Sequence, residues 1–212
     1  MKKKFVFSFV ALTLLYFLMS PFCALSEEIK DPEKLYEIAL IEKNKENYDS
    51  ARLFFQKSIA NGIRGEKLAK AYGGSGHAFV NDYAKIINGE ESSQLDPYLK
   101  NLKNDEKVNL SILTIESLRG GNIEDFSSII FNSWGLGESG VLIVVAKNER
   151  RIRIELGYDL ALYISNASCG KVIEDIISPR FKEGNFAKGL EAGARAIANF
   201  VKVQRKTGLA QK

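Results

Sequence analysis

Seven consecutive residues, Gly140 to Ala146, read "GVLIVVA" without one polar side chain. A run this short and this rich in β-branched residues suits a strand, and because it does not alternate it has to be covered on both faces. That requirement selects a layered fold in which helices flank a sheet. The neighbours agree. "RRIRIELG" alternates, with Ile152, Ile154 and Leu156 on one side and Arg151, Arg153 and Glu155 on the other. A turn through Lys147 to Glu149 makes the two strands a hairpin. Upstream, "VNLSILTIESL" also alternates as a strand. Helical spacing marks Leu95, Tyr98, Leu99 and Leu102, with Pro97 expected near that helix's start. A second helix carries Ile123, Phe126, Ile130 and Trp134 behind an Asn122 cap with Asp125 as its N3 acid. "ASCGKVIEDIIS" and "NFAKGLEAGARAIANFVKV" supply two more, the latter striped by Phe186, Leu190, Ala194, Ile197 and Val201. Pro179 and "RFKEGNF" read as the bend between them. In that last helix Gly189 and Gly193 sit one turn apart beside Glu191 and Arg195, a pattern for close helix packing in water rather than in a bilayer.

The start of the chain has a different character. Lys2, Lys3 and Lys4 precede a long apolar run, then Pro21 and the small residues Ala24 and Ser26. This is the layout of a secretory signal peptide over residues 1–26, with an uncleaved anchor as the alternative. The chain holds 30 bases and 26 acids, and those 26 residues remove three lysines and no acid, so the mature chain is near neutral, about +1. No basic stripe interleaved with aromatics remains for nucleic acid. Cys169 is left as the sole cysteine, so no internal disulfide is expected, and with His77 distant in sequence it reads as a small buried hydrophobe.

Residues 27–76 read as helical. Leu35, Ile38, Ala39 and Glu42 share one face, and Tyr48, Ala51, Phe55 and Ile59 another, giving a helical hairpin opened by Asp31-Pro32 and stopped at Gly62. "NYDSA", Phe55 and Ser58 resemble a tetratricopeptide- or Sel1-like unit, with "LAKAYGGSGHAF" as the first helix of a second. Such units stack in threes or more, so this segment is expected to lean on a partner, a second copy or the next domain. The glycines of "GGSG", residues 73–76, mark the boundary to a domain over residues 77–203, and residues 204–212 form a basic, solvated tail.

Gly135, Gly137 and Gly140 spell G-x-G-x-x-G. Dinucleotide binding needs strand, glycine turn, helix, because the helix N-terminus holds the pyrophosphate. Here the glycines follow a helix and feed a strand, so the turn faces a negative helix end, and no nucleotide is expected. Gly135 reads as a left-handed helix stop.

"FVNDYAKIIN", "IEDFSSIIFNSWGLGESGVLIVVAKNERRIRIELGYDL" and "ISPRFKEGNFAKGLEAG", in this order, resemble the TPM domain family, named for a thylakoid-lumen phosphatase, a photosystem II repair protein and a modulator of acetylcholine receptors. The resemblance implies an exported or membrane-facing α/β domain with a four- or five-stranded mixed sheet between helices. Some members of that family bind divalent cations with weak acid phosphatase activity; others are assembly factors. Asp82, Trp134, Gly135, Gly137, Glu155 and Gly157 match its motifs, and Glu138 keeps a carboxylate before the central strand. Asp159, Ala161 and Asn166 stand where the family has Gly, Glu and Asp, so two carboxylates are absent. A site for Ca²⁺ or Mg²⁺ is expected, if anywhere, from Asp82, Glu138, Glu155, Asp159 and Asn166, with Arg153 available to an anionic ligand. The bland alternative makes Asp82 a turn cap and Arg153 and Glu155 a solvated strand face. No Ser, Cys or His nucleophile with a nearby base is apparent. The expected function is that of an exported, periplasmic or secreted, non-catalytic accessory protein that meets an envelope protein partner through its N-terminal helices, touching membrane only if its leader persists; the alternative is a weak cation-dependent acid phosphatase.

Overall fold

The computed structural model describes residues 29–207. The leader and the last five residues of the tail lie outside that range. The chain divides into two units, one ending at Ile63 and the other beginning at Arg64.

Among the described residues, the first unit comprises the helical pair α1 (Pro32–Asn44) and α2 (Tyr48–Ala60). Asp31 caps α1 by accepting from the Glu33 amide at 2.9 Å, and Pro32 occupies the first turn, where its missing N–H costs nothing. Leu35, Tyr36 and Ala39 are buried, as are Ala51, Phe54, Phe55 and Ile59, and Tyr36 meets Phe55 edge-on at 5.7 Å. Tyr48 departs from its expected buried stripe and is 60% exposed. It is the first residue of α2, and helical side chains lean toward the N-terminus, so a first residue points off the end of its helix. Buried Glu42 ties the turn by accepting from Lys45 Nζ at 3.1 Å and Asn47 Nδ2 at 2.9 Å.

The second unit begins with α3 (Gly65–Gly74) and continues through β1 (Val80–Asp82), α4 (Gly89–Asp105), β2 (Asn109–Ile115), α5 (Ile123–Ser133), β3 (Gly140–Ala146) and β4 (Arg151–Leu156). There follow α6 (Tyr158–Ala161), α7 (Asn166–Lys171), a π-helical segment (Val172–Ile177), α8 (Ser178–Lys182) and α9 (Phe186–Thr207). The strands lie in the order β1-β2-β3-β4, with β1, β2 and β3 parallel and β4 antiparallel. This is a mixed four-stranded sheet flanked by helices. All seven residues of β3 are buried, as a two-sided strand requires.

One sheet face, built by Leu110, Ile112, Val141, Ile143, Val145 and Ile154, packs against Leu95, Leu99 and Leu102 of α4 and Leu190, Ala194 and Ile197 of α9. Strand side chains alternate, so Leu113, Leu142 and Val144 point to the opposite face, beside α5. There α3 packs on α5: Tyr72 meets the Phe126 ring at 5.8 Å, and a Cβ on Gly73 would stand 2.6 Å from Ser133 Cβ. Gly73 is therefore a close-packing residue within α3, ahead of the loop that follows it.

Two prolines behave differently from their expected roles. Pro97 sits inside α4, because the capping box of Asn88 and Glu91 starts the helix well upstream. Pro179 lies in the first turn of α8, directly after the π-helical segment, so it continues a helix rather than bending it. The reversal comes within the expected "RFKEGNF" stretch, at Gly184, whose φ of +80° is the left-handed conformation that only glycine adopts without strain. Gly189 and Gly193 make the close approach read from their spacing: added Cβ atoms would meet the Phe181 ring at 2.9 Å and Ile177 Cδ1 at 2.7 Å.

Candidate functional site

Asp82 ends β1, and its strand partner is Thr114. Both of its carboxylate oxygens accept hydrogen bonds. Oδ1 accepts from Thr114 Oγ1 and from the Ile86 amide at 3.2 Å, while Oδ2 accepts from the Ile87 amide at 2.9 Å. Thr114 Oγ1 in turn accepts from the Ala84 amide at 3.2 Å. The pair organises the loop from β1 into α4, a polar knot at the carboxyl end of the parallel strands.

The loop after α5 lies at the other end of the sheet. Trp134 caps α5, and Gly135 at φ +58° is the left-handed stop expected of it. Gly137 takes φ +74°, and its carbonyl receives the Gly140 amide at 3.0 Å. This loop folds against the end of β4. The Asp159 amide donates to the Glu138 carbonyl at 3.1 Å, Ser139 Oγ donates to Asp159 Oδ2 at 3.4 Å, and a Cβ on Gly157 would stand 2.3 Å from the Glu138 carbonyl oxygen. Only glycine fits there. Glu138 and Asn166 are exposed. Trp134 is buried, stacks on His77 at 5.0 Å, and serves as the core anchor of this corner.

Glu155 and Arg153 share the face of β4 that lies beside α5. Glu155 Oε2 accepts from Arg153 Nε at 3.1 Å and from Ser127 Oγ at 3.3 Å. Arg151 reaches Glu124 of α5 at 3.0 Å. This strand face is partly covered, and Arg153 is paired with Glu155 through its Nε.

Register decides whether the expected cation ligands can meet. Glu155 pairs with Leu142, and Asp82 pairs with Thr114, which pairs with Val145. Three residues along β3 span about 10 Å, and three strand spacings span about 14 Å, which holds Asp82 roughly 17 Å from Glu155 and farther still from Glu138. A hard cation needs six or so oxygens at about 2.0–2.6 Å. Among the described residues no group of three or more His, Cys, Asp or Glu side chains is placed to hold a metal ion. The set Asp82, Glu138, Glu155, Asp159 and Asn166 therefore does not form one Ca²⁺ or Mg²⁺ site: Asp82 is removed to the opposite end of the sheet, and Glu155 is turned toward Arg153 and Ser127.

Other reactive groups are also occupied. Cys169 is buried, and burial pushes its thiol up to about 11, against nucleophilic use. Burial and the charge of Lys103 lower the pKa of His77. Thr114 and Ser127 were not legible as site residues. The signal for Thr114 was a polar residue inside an otherwise apolar strand; both residues are completely buried.

A family model describing the TPM domain matches residues 80–200, from β1 into α9. The chain belongs to the TPM domain family. The solution NMR structure of the N-terminal domain of a protein from P. gingivalis is 26% identical, with a TM-score of 0.57 over 60% of this chain and 84% of that one. A search of curated proteins found no significant match. In this TPM domain the family's motif residues fall into two groups at opposite ends of the sheet, the Asp82 knot and the Trp134 to Asp159 corner.

Proposed function

We propose that this chain is an exported TPM-domain protein with a non-catalytic, accessory role, in which the sheet domain acts as a binding scaffold and the N-terminal helices meet a protein partner. The observation that carries the non-catalytic reading is the Asp82 knot: both carboxylate oxygens accept from Thr114 or the amides of their own turn. A group so committed has little capacity left to bind a cation or to activate water. Cys169, buried and held protonated, offers no alternative nucleophile. The partner reading is supported by Ile41, Tyr48 and Leu53, large apolar side chains of α1 and α2 that are 51%, 60% and 41% exposed. Export is supported by the residues of the leader, from Lys2 to Ser26.

The test is calorimetric titration of the protein with Ca²⁺, Mg²⁺ and Mn²⁺, together with turnover of a phosphomonoester, in wild type, Glu155→Gln and Asp159→Asn. The expected result is no saturable heat and no turnover above buffer in any of the three. Cation binding with turnover that either substitution abolishes would establish the cation-dependent phosphatase in its place. The partner arm uses in-cell crosslinking: Tyr48→Ser and Leu53→Ser, both at exposed positions, are expected to lose crosslinks that wild type forms. Unchanged crosslinks in both variants would remove the role assigned to these helices.

A further inference from the structure

At the carboxyl ends of the parallel strands, beyond the Asp82 knot, the second unit contains a cleft of about 730 Å³. That volume lies in the range of small-molecule sites. One wall is apolar: Ile86 from the β1–α4 loop, Ile152 of β4, Phe181 of α8 and Phe186 of α9. The two rings meet edge-on at 5.0 Å, and Phe181 lies across Gly189, where a Cβ would come within 2.9 Å of it. The π-helical segment just before α8 contributes to this placement, because its extra residue per turn rotates every later side chain by about 100° around the helix axis.

The rim has one sign of charge. Lys147, Arg150, Arg151 and Lys182 line the cleft, and no acidic residue does. Lys147 and Arg151 spend part of their field on exposed pairs with Glu116 at 3.4 Å and Glu124 at 3.0 Å. Arg150 and Lys182 have no carboxylate partner among the described residues. A concave apolar wall beneath uncompensated cations focuses a positive potential where an anionic group would enter.

We infer that this cleft binds a small anionic amphiphile, a phosphate monoester or carboxylate headed by Arg150 and Lys182, with its apolar body against Phe181, Phe186, Ile86 and Ile152. A guanidinium meets such a head through two parallel N–H donors, and the ammonium adds a point charge. The cleft lies at the Asp82 end of the sheet, away from Glu138 and Asp159.

The full chain is titrated by calorimetry with octyl phosphate below its micellar concentration, with octyl glucoside and inorganic phosphate as the neutral and headgroup-only probes. Saturable one-to-one binding of octyl phosphate is expected, with both controls about tenfold weaker or worse. The double variant Arg150→Glu with Lys182→Glu, at exposed positions, is expected to weaken octyl phosphate by about tenfold or more while keeping the wild-type circular dichroism. Amide shifts on titrating wild type are expected in the β3–β4 turn and from Phe181 to Phe186. Sedimentation with phosphatidylglycerol vesicles separates the sources: co-sedimentation lost in the double variant identifies a lipid headgroup, and octyl phosphate binding without co-sedimentation identifies a soluble amphiphile. Octyl phosphate no tighter than octyl glucoside, an unchanged double variant, or shifts confined to other surfaces would each overturn the assignment.

Discussion

Asp82 and Thr114 illustrate how a residue's meaning changes once its partner is known. In sequence Asp82 is equally a cation ligand and a turn cap, because its neighbours do not disclose that residue 114 will lie beside it. With both oxygens accepting, Asp82→Ala leaves the Ile86 and Ile87 amides and the Thr114 hydroxyl without their acceptor. The expected loss is about 1–3 kcal/mol, read from urea unfolding, with Asp82→Asn losing less because one acceptor oxygen survives. A cation ligand would show the opposite sign, since removing an uncompensated acid from an empty site stabilises. Two other residues set the response to alkali. Burial raises Cys169 to about 11 and Tyr72 to about 12, so the native state keeps protons that the unfolded chain releases. The stability they contribute is intact below the unfolded values, about 9 and 10, and is lost as pH rises through the folded ones. Denaturation midpoints are expected to fall between pH 8 and pH 11, and to fall less in a variant combining Cys169→Ala with Tyr72→Phe.

At the scale of elements, most of the fold was readable because its signals are local. The apolar run of β3, the alternation of β4, the Asn122 cap and the Gly135 stop each depend on residues within one or two turns of each other. Pro97 and Pro179 were misplaced for the same reason in reverse: a helix that begins upstream at a capping box, or a π-helical segment that shifts the register, alters what the proline faces. β1, three residues long, has too little sequence for a period and exists because β2 offers it an edge. The Gly135–Gly140 loop meets the end of β4 closely, and Gly157 is its contact. Backbone carbonyls of Gly137 and Glu138 would stand 2.4 and 2.3 Å from a Cβ there, and backbone cannot rotate away as a side chain can. Gly157→Ala is expected to cost about 1–3 kcal/mol or more, visible as a lowered thermal midpoint, whereas Gly170→Ala, with open space around it, leaves the midpoint near wild type.

For the molecule as a whole, the boundary is the feature with the most direct test. Glycine-rich "GGSG" drew it at residues 73–76, but the division falls between Ile63 and Arg64, and α3 belongs with the sheet. Leu68, Ala69, Ala71 and Tyr72 are buried, and each large apolar side chain among them contributes about 1.5–3 kcal/mol. A fragment beginning at Arg64 is expected to unfold cooperatively in urea, whereas one beginning at His77, lacking the helix that covers α5, is expected to lose its near-ultraviolet dichroism. Equal stability of the two would place the boundary at the glycines after all.

Sequence alone was sufficient for the layer type, the order of most elements, the helix stops and the family, because periodicity, caps and motif spacing are written in neighbouring residues. Which carboxylates share an environment was left to the tertiary structure. Strand register carried Asp82 to one end of the sheet and Glu155 toward the other, and helix packing brought Lys182 to the same cleft as Arg150 of the β3–β4 turn, which no contiguous motif announces. Register is a pairing between distant segments, and side chains far apart in the chain acquire a common chemistry only when the fold sets them side by side.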